Sequence, residues 1–364
     1  MTRDKNIMLN NNEFLFTIIG AIMGISVLSI PNTAVLDAKQ DGWIAAIMGS
    51  IYPFYVVFIA SIIIRKYPET NIIELSKKYL GKIFGNILNI IFMAQFIYYA
   101  VLVISQGIHI LITYAVWFMT PLKISLLMAL LVVYGVTKGL KVLARINTLA
   151  FVFMSIVMMA TLVAFRYGSF LNVRPVFGAG VGNIIKGSID TAFAYANMEL
   201  ILVIHPYVKN KDKVIKLALI SAAIITLYYT WSVFSTTLYF GPDIAPKSLW
   251  PFYFVTESVK IPVINNFRLV LMLIWPLIIY KSIATEYFMS TSIMDTVTGI
   301  NYRKWCIFFF PLILFLPLAF QNEVSRRDFS EMVTPWITVF NLLYITLIAL
   351  LVVIRNKSVA ESKS

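Results

Sequence analysis

The sequence predicts an all-α polytopic membrane protein with ten transmembrane helices, and three observations support this fold class. Hydrophobic residues make up 60% of its 364 residues and charged residues only 13%, against about 25% in soluble domains. Ten apolar runs approach the roughly 20 residues that a helix needs to cross a bilayer. Basic residues cluster in the short segments between these runs, a pattern typical of loops beside a membrane.

The ten runs follow one another with no soluble domain between them, so we expect one integral membrane domain over residues 1–364. The fourth and ninth runs are the shortest. The runs cover residues 14–36, 43–64, 86–117, 122–137, 146–165, 184–206, 214–240, 268–294, 305–320 and 332–354.

The distribution of positive charge predicts the orientation. With ten spans, both ends of the chain lie on one side, and nineteen of the 30 Lys and Arg residues then fall on that side against ten on the other. We therefore expect both termini in the cytoplasm. The polar first residues lead into an apolar run longer than a signal-peptide core, without a cleavage site, so the first helix is expected to remain in the mature protein.

Composition excludes several other classes of function. The net charge of +13 comes from loop clusters rather than from a nucleic-acid surface, so no nucleic acid is expected as a partner. One cysteine, Cys306, excludes an internal disulfide, and two histidines, His109 and His205, make no metal cluster. The stretch FGAGVG at residues 177–182 is not a dinucleotide motif. We expect no enzyme activity, no cofactor and no metal.

Two loops have a character of their own. The segment RKYPETNIIELSKKYLGKIFG, residues 65–85, mixes apolar and charged residues, which indicates either an amphipathic helix on the membrane surface or a plain connector. The aromatic and Pro-rich loop at residues 241–262 is long enough to pack over the mouth of the bundle.

Two of the ten helices are interrupted. The first contains Gly24, Ser26 and Pro31 within an apolar run, and the sixth carries Asn197 and Glu199 in DTAFAYANMELILVIHP. Because five spans separate them, two similar five-helix units must be related by an inverted pseudo-two-fold axis. Paired interruptions of this kind indicate a transporter-type binding site at the midplane. The two repeats would cover residues 14–165 and 184–354.

A broken helix needs a physical reason, because backbone groups left unpaired at membrane depth cost several kcal/mol each. The N-terminus of a half-helix carries a partial positive charge that suits a carboxylate, and Gly24, Ile25 and Ser26 can present such amides. The alternative is close helix packing, since Gly20 and Gly24 form a small-xxx-small pair. Both explanations can hold together.

Two charged residues lie inside membrane spans, Glu199 in the sixth and Lys281 in the eighth. A carboxylate at mid-span costs at least ~2.5 kcal/mol to insert, so Glu199 should face the bundle interior and have a partner. Lys281 is the natural candidate for an ion pair with it. Alternatively, Lys281 meets an acidic ligand and Glu199 an amine, or the pair merely fixes helix register.

Four further polar residues rank lower as functional groups. Glu286 lies nearer the cytoplasmic end of the eighth span, where water could solvate it, and Asp190 is expected to cap the outer part of the sixth helix. His205 is expected to be an interface residue rather than a proton relay, whereas His109 stays ambiguous.

Five short motifs in order, GISVLSIP, DGW at residues 41–43, NVRPVFGAGVGNI, NMEL and LWP at residues 249–251, carry a resemblance. The chain resembles the B subunits of the GerA-type nutrient germinant receptors of endospore-forming bacteria, from its first span to its tenth. The resemblance implies the amino acid/polyamine/organocation superfamily and a LeuT-like 5+5 inverted repeat with broken first and sixth helices. It also implies a receptor in the spore inner membrane for small nutrients, with an A subunit and a lipoprotein C subunit as partners.

Carried over from the resemblance, the ligand site lies between the first, sixth and eighth helices. Lys281 departs from the small polar or apolar residue expected there. This departure speaks against a plain zwitterionic amino acid and favours an acidic ligand, a cation site filled by the lysine, or neutralisation of Glu199. The expected ligand-binding residues are Gly24, Ile25, Ser26, Ala196, Asn197, Glu199 and Lys281.

These features predict a receptor subunit that binds a small nutrient, an amino acid first among the candidates, and signals through its partners to start germination. The alternative is an amino-acid or cation-coupled secondary transporter, in which the same site alternates its access across the membrane. The fold alone does not separate the two, because function resides in the site and its coupling.

Overall fold

The computed structural model describes residues 8–258 and 267–361, with the backbone alone at 268–269 and 356–361. Within these ranges the chain is helical in every predicted span and contains no strand beyond one isolated bridge between Leu9 and Val208. The all-α class is therefore confirmed. The first seven and last three residues, expected in the cytoplasm, and residues 259–262 of the long loop lie outside the described residues.

The predicted spans of the first half all coincide with helices. These are α1 (Asn11–Ile22), α2 (Ser26–Ala38), α3 (Gly42–Gly49), α4 (Ile51–Lys66), α5 (Ile72–Leu80), α6 (Lys82–Tyr114), α7 (Pro121–Thr137), α8 (Leu140–Ala160) and α9 (Ala164–Tyr167). The first span is thus divided into α1 and α2, as the sequence predicts. The second is divided into α3 and α4, which nearly abut.

The predicted spans of the second half also coincide with helices, and the first of them, the sixth span, is divided. Its helices are α10 (Val181–Ala192), α11 (Ile201–Ile204), α12 (Val214–Phe240), α13 (Pro251–Glu257), α14 (Arg268–Thr298), α15 (Tyr302–Phe315) and α16 (Glu323–Glu361). Short 3-10 turns at Phe193–Tyr195 and Met198–Leu200 lie between α10 and α11. The long helices α14 and α6 pack along each other and form the centre of the bundle.

The chain is a multi-pass membrane protein. Seven helical stretches of the described residues are long and apolar enough to cross a membrane, and eight if the bent pair around Asn197 counts as one span. The predicted count of ten is not reached by this measure. One reason is that α7 has only 17 residues, and another is that Ser26–Lys66 counts as one stretch. Ten spans, and the repeat boundaries within them, stay predictions.

A helix forms in the segment for which the sequence left two possibilities. Asn71 and Glu74 make a capping box at the start of α5, because each side chain accepts from the other residue's backbone amide. The apolar side of α5 packs against α6 and α16. Lys77 donates to the Val297 carbonyl at 3.1 Å, which ties α5 to the end of α14.

Different segments of the chain lie at the two ends of the bundle. The terminal face, as we name it, holds Leu9, whose amide donates to the Tyr207 carbonyl at 2.7 Å, together with α5 and the last turns of α16. The opposite end, the cavity face, holds the start of α16 and the loop before α10. This loop is fixed by Asp41, whose carboxylate accepts from the amides of Phe177 at 2.8 Å and Ala179 at 2.9 Å.

A second link at the cavity face joins the first helix to the long loop and α16. The Asn32 amide group donates to the carbonyls of Pro246 and Ser248, at 2.7 Å each. Arg327 donates to Asn32 at 3.0 Å and also to the Leu249 carbonyl. The motifs DGW, FGAGVG and LWP therefore shape the cavity face.

Candidate functional site

The first helix break is held open by a lysine from another helix. Residues 23–25 leave helical geometry between α1 and α2, which strands the carbonyls at the end of α1. The Lys281 ammonium on α14 donates to two of them, those of Gly20 and Met23. The next residue, Ser282, adds a longer contact of 3.5 Å to the Gly20 carbonyl. A buried charge thus satisfies the polar end of a half-helix.

The sixth helix breaks at Asn197, which has a left-handed backbone with φ of 79°. Asn tolerates this conformation better than other residues with a side chain, apart from Asp and His. The segments on either side, Val181–Tyr195 and Met198–Tyr207, meet at an angle of 40°. The Leu200 amide donates to the Asn197 carbonyl at 3.2 Å, so the second half-helix starts as a tight local turn.

One tyrosine of α12 touches both breaks. The hydroxyl oxygen of Tyr229 lies 2.9 Å from the Ile22 carbonyl at the end of α1 and 3.1 Å from the Ala194 carbonyl before the sixth-helix break. It also lies 2.7 Å from the Ser26 hydroxyl at the start of α2. The side chain is fully buried. Tyr229 therefore joins the two interrupted helices through a single polar atom.

The ion pair between Glu199 and Lys281, one of the possibilities that the sequence left open, does not form among the described residues. Glu199 is fully buried and accepts a hydrogen bond from the Tyr52 hydroxyl of α4. Lys281 is used at the first break instead, and no ion pair joins the two in the described part of the chain. A hydroxyl and the backbone, rather than each other, are the partners of these two charges.

A cavity of about 510 Å³ opens between the two breaks and α14. Five of the seven residues expected at the ligand site line it: Gly24, Ile25, Ser26, Ala196 and Asn197. Glu199 and Lys281 do not, because their side chains lie behind its wall. The cavity extends from the breaks to the surface at the cavity face, where exposed Lys186 and Glu331 line its mouth.

Glu286 lines this cavity, and its expected solvation near the end of the span was wrong. The residue is 1% exposed, and neither carboxylate oxygen has a hydrogen-bond partner among the described residues. Its position follows from helical spacing, because Ser282 lies four residues earlier, on the same side of α14. Ser282 lines the cavity as well, opposite Gly24.

The two glycines of the first helix have different surroundings. A Cβ on Gly20 would lie 1.9 Å from the side-chain oxygen of Asn147, so Gly20 permits close packing of α1 on α8. A Cβ on Gly24 would lie 2.8 Å from the Ser282 hydroxyl, at the cavity wall. Packing accounts for Gly20, and the break with its cavity accounts for Gly24.

The remaining candidates take structural positions. Asp190 lies in the last turn of α10, so it does not cap the start of that helix as expected, and it lines the cavity instead. The ring nitrogens of His205 lie 3.2 Å from the carbonyls of Ile201 and Tyr67, which fits an interface role. No group of three or more His, Cys, Asp or Glu among the described residues could hold a metal ion.

Sequence reasoning missed Tyr229, Ser282 and the position of Glu286 in the cavity wall. Tyr229 carries no signal of its own, because the chain has 19 tyrosines. Ser282 and Glu286 did carry one: a serine and a glutamate four residues apart inside a span make a polar stripe on one helix face.

Comparison with known proteins gives a family for the whole arrangement. Residues 8–326 match the family model described as spore germination protein. Spore germination protein GerQB of Bacillus cereus is 23% identical over 335 residues, 91% of this chain and 90% of that protein. Spore germination protein YndE of Bacillus subtilis (strain 168) is 22% identical, covering 84% of this chain and 85% of that one.

Among solved structures, a substrate-bound, outward-open, Na+-coupled sialic acid symporter is similar with a TM-score of 0.64. The match covers 93% of this chain and 79% of that one, at 12% identity. A likeness at this identity shows the fold alone. The fold is therefore LeuT-like, as the resemblance to the germinant receptor B subunits implies.

Proposed function

Because the chain belongs to the spore germination protein family, we propose that it is the B subunit of a nutrient germinant receptor. It binds a small nutrient, an amino acid first among the candidates, in the cavity between the first, sixth and eighth helices. Ligand binding closes the two half-helices on the ligand and starts germination through partner subunits. The residues proposed for this site are Gly24, Ile25, Ser26, Ala196, Asn197, Glu199 and Lys281.

The observation that carries the proposal is the cavity onto which both helix breaks open. Its wall contains Ile25 and Ser26, where α2 begins, and the first amides of a helix have no intrahelical acceptor. These amides and the helix dipole suit a carboxylate. Glu199 and Lys281 act behind the wall: Lys281 keeps the first break open, and Glu199 fixes the sixth helix to Tyr52 of α4.

A second candidate function is an amino-acid or cation-coupled secondary transporter, which the fold shared with the Na+-coupled symporter favours. Lys281 is the observation that weighs against cation coupling at the first break. Carbonyls that accept hydrogen bonds from the Lys281 side chain are less available to a bound cation.

A receptor of this kind needs partners, because the loops contain no soluble signalling domain. We assign this role to a germinant receptor A subunit and a lipoprotein C subunit, in the spore inner membrane with both termini of this chain in the cytoplasm. A ligand then shifts the assembly only by its difference in affinity for the open and closed forms.

The test uses the full chain in liposomes, with and without the A and C subunits, against a panel of labelled amino acids and sugars. Binding and internal accumulation are recorded separately. Saturable binding without accumulation supports the receptor. Accumulation against a gradient would instead make the chain a transporter.

A further inference from the structure

We propose that Glu286 of α14 is the ammonium-binding group of the cavity, so that the ligand is a small molecule with a primary amine. This inference rests on the proposed function in one respect, that the cavity is the ligand site. It adds the residue that would bind the ammonium end of that ligand, which neither the family nor the helix breaks assign.

The first step is the state of the Glu286 side chain. It is 1% exposed, it lines the cavity, and within the part of the chain that the structure describes both carboxylate oxygens lack a hydrogen-bond partner. A buried carboxylate without a partner is costly, because it has lost its water and gained nothing in return. A cation that enters the cavity would supply both the missing charge and the missing hydrogen bonds.

The second step concerns the charges near Glu286. Lys281 is on the same helix, but its ammonium is bound to the Gly20 and Met23 carbonyls, and no ion pair joins it to Glu286 in the described residues. Glu199, the other buried acid nearby, accepts from Tyr52 through one oxygen and is not among the residues that line the cavity. Glu286 is thus the buried acid of the cavity wall that these side chains leave available.

The third step is the arrangement of acceptors and donors along the cavity. Glu286 follows Ser282 by one helical turn, about 6 Å along α14 at ~1.5 Å per residue. Ser282 faces Gly24 at the first break, where α2 presents its amides. Asn197 at the sixth-helix break lines the same cavity, and its side-chain oxygen has no partner either. Donors near the first break and acceptors about one turn away fit a ligand with an acidic and an ammonium end.

The fourth step compares the charged groups at the two ends of the cavity: its floor, where Glu286 lies, and its mouth. The basic side chains that line the cavity already contact carboxylates: Lys186 at the mouth lies 2.7 Å from Asp37, and Arg326 and Arg327 share Glu323, at 2.6 and 3.1 Å. A cation arriving at the floor therefore meets an unpaired acid, whereas an anion arriving at the mouth meets paired bases.

The experiment measures binding to the full chain in liposomes with three matched pairs of probes: L-alanine and L-lactate, D-glucosamine and D-glucose, and ethylamine and ethanol. Within each pair the two probes differ only in that a hydroxyl replaces the amine. We expect at least one amine to bind and its hydroxyl partner to bind about 10- to 100-fold more weakly, the factor for a hydrogen bond to a charged group.

The matched variants are Glu286→Gln and Glu331→Gln. Both remove one carboxylate from the cavity wall, but Glu331 is exposed at the mouth. We expect Glu286→Gln to weaken binding of that amine by about 10- to 100-fold and Glu331→Gln to leave it within about twofold, because water screens an exposed charge. Should Glu286→Gln fail to fold, the probe pairs on the unchanged protein still decide whether the ligand must carry an amine, and equal binding within every pair would overturn the proposal.

Three results would overturn the assignment: no amine of the panel binds, hydroxyl probes bind as tightly as their amine partners, or a folded Glu286→Gln protein binds the amine normally. Binding of labelled Na+ that Glu286→Gln abolishes, without amine binding, would give the carboxylate to an ion instead. The proposed receptor function fails separately, since accumulation of the amine would contradict the receptor and leave the role of Glu286 intact.

Discussion

Both helix breaks open onto the same cavity, but different interactions stabilise them. At the first break, a full positive charge on Lys281 binds the Gly20 and Met23 carbonyls. At the sixth, the chain turns by itself at left-handed Asn197, and the nearest charge, Glu199, accepts from the Tyr52 hydroxyl. The first break therefore depends on a side chain from another helix, whereas the break in the sixth helix results from the conformation of its own backbone.

This difference assigns each break to a separate neighbour. The first depends on α14, which also carries Ser282 and Glu286 along the cavity wall. The sixth depends on α4 through Tyr52. A change in ligand occupancy can therefore reach two distinct parts of the bundle, and variants at the two breaks should differ in kind as well as in size.

The largest effect is expected for Lys281→Met, which would remove the support of the first break. It removes the Lys281 partner of the Met23 carbonyl and leaves the Gly20 carbonyl only the 3.5 Å contact from Ser282. At about 1–3 kcal/mol for each lost partner, we expect a loss of about 2–6 kcal/mol in the free energy of unfolding. The single cysteine, Cys306, is buried, so its reaction with a thiol dye on heating reports unfolding. Lys123→Met, at an exposed lysine, is the control.

The same variant sharpens the comparison when combined with Glu199→Gln. Because the two charges do not contact each other, their effects on stability should add to within about 0.5 kcal/mol in a double-mutant cycle. A larger coupling energy would mean that they form the ion pair that the structure lacks.

The next effect is expected for Gly24→Leu, which fills the first break. A side chain there would collide with the Ser282 hydroxyl and occupy the cavity wall. Overpacking of this kind costs about 1–3 kcal/mol, so ligand binding should weaken by about 10- to 100-fold. Gly182→Leu is the matched control, since a Cβ there meets no atom within 4 Å. Unchanged ligand sensitivity in Gly24→Leu would favour a pure packing role.

At the sixth break, Glu199→Gln tests whether the charge itself matters. The glutamine oxygen can still accept from Tyr52, so protein level in the membrane should be unchanged. We expect the nutrient response to fall by about tenfold or more, the factor for losing a charged hydrogen-bond acceptor. Germination rate and immunoblotted protein are measured on the same spores. A normal rate at a normal protein level would remove Glu199 from the site.

The smallest effect is expected for Tyr229→Phe, which loosens both breaks at once. Loss of one neutral hydroxyl costs about 1 kcal/mol, and ligand sensitivity should fall several-fold. Tyr228→Phe is the neighbouring control, because that hydroxyl bonds to Ser155 at 2.6 Å and touches neither break. Equal effects of the two variants on ligand sensitivity would mean that Tyr229 acts through stability alone.

The helical class and the positions of both breaks could be predicted because hydropathy and backbone chemistry act locally. Gly24 and Asn197 interrupt their helices where the sequence places polar or small residues in apolar runs. The partners of the charges could not be predicted in this way. The sequence does not show whether Lys281 contacts Glu199 or a pair of carbonyls. Only the packing of α14 against α1 decides between these two partners.

Glu286 is a different kind of miss. Because Glu286 lies near the end of the span, the sequence suggested contact with water. Position along a membrane helix does not determine exposure, however, when neighbouring helices cover the side chain. Tyr229 lay beyond reach because its importance depends on three oxygens contributed by separate segments.

The Tyr229 hydroxyl has one proton and two carbonyls within reach, so it can donate to Ile22 or to Ala194 but not to both at once. The Ser26 hydroxyl, 3.5 Å from the Ile22 carbonyl, can take over there when the tyrosine turns to the sixth helix. The two interrupted helices therefore compete for one hydrogen atom. The bundle has two bonding arrangements that differ by a rotation of two O–H groups, and a nearby ligand has to change only their balance.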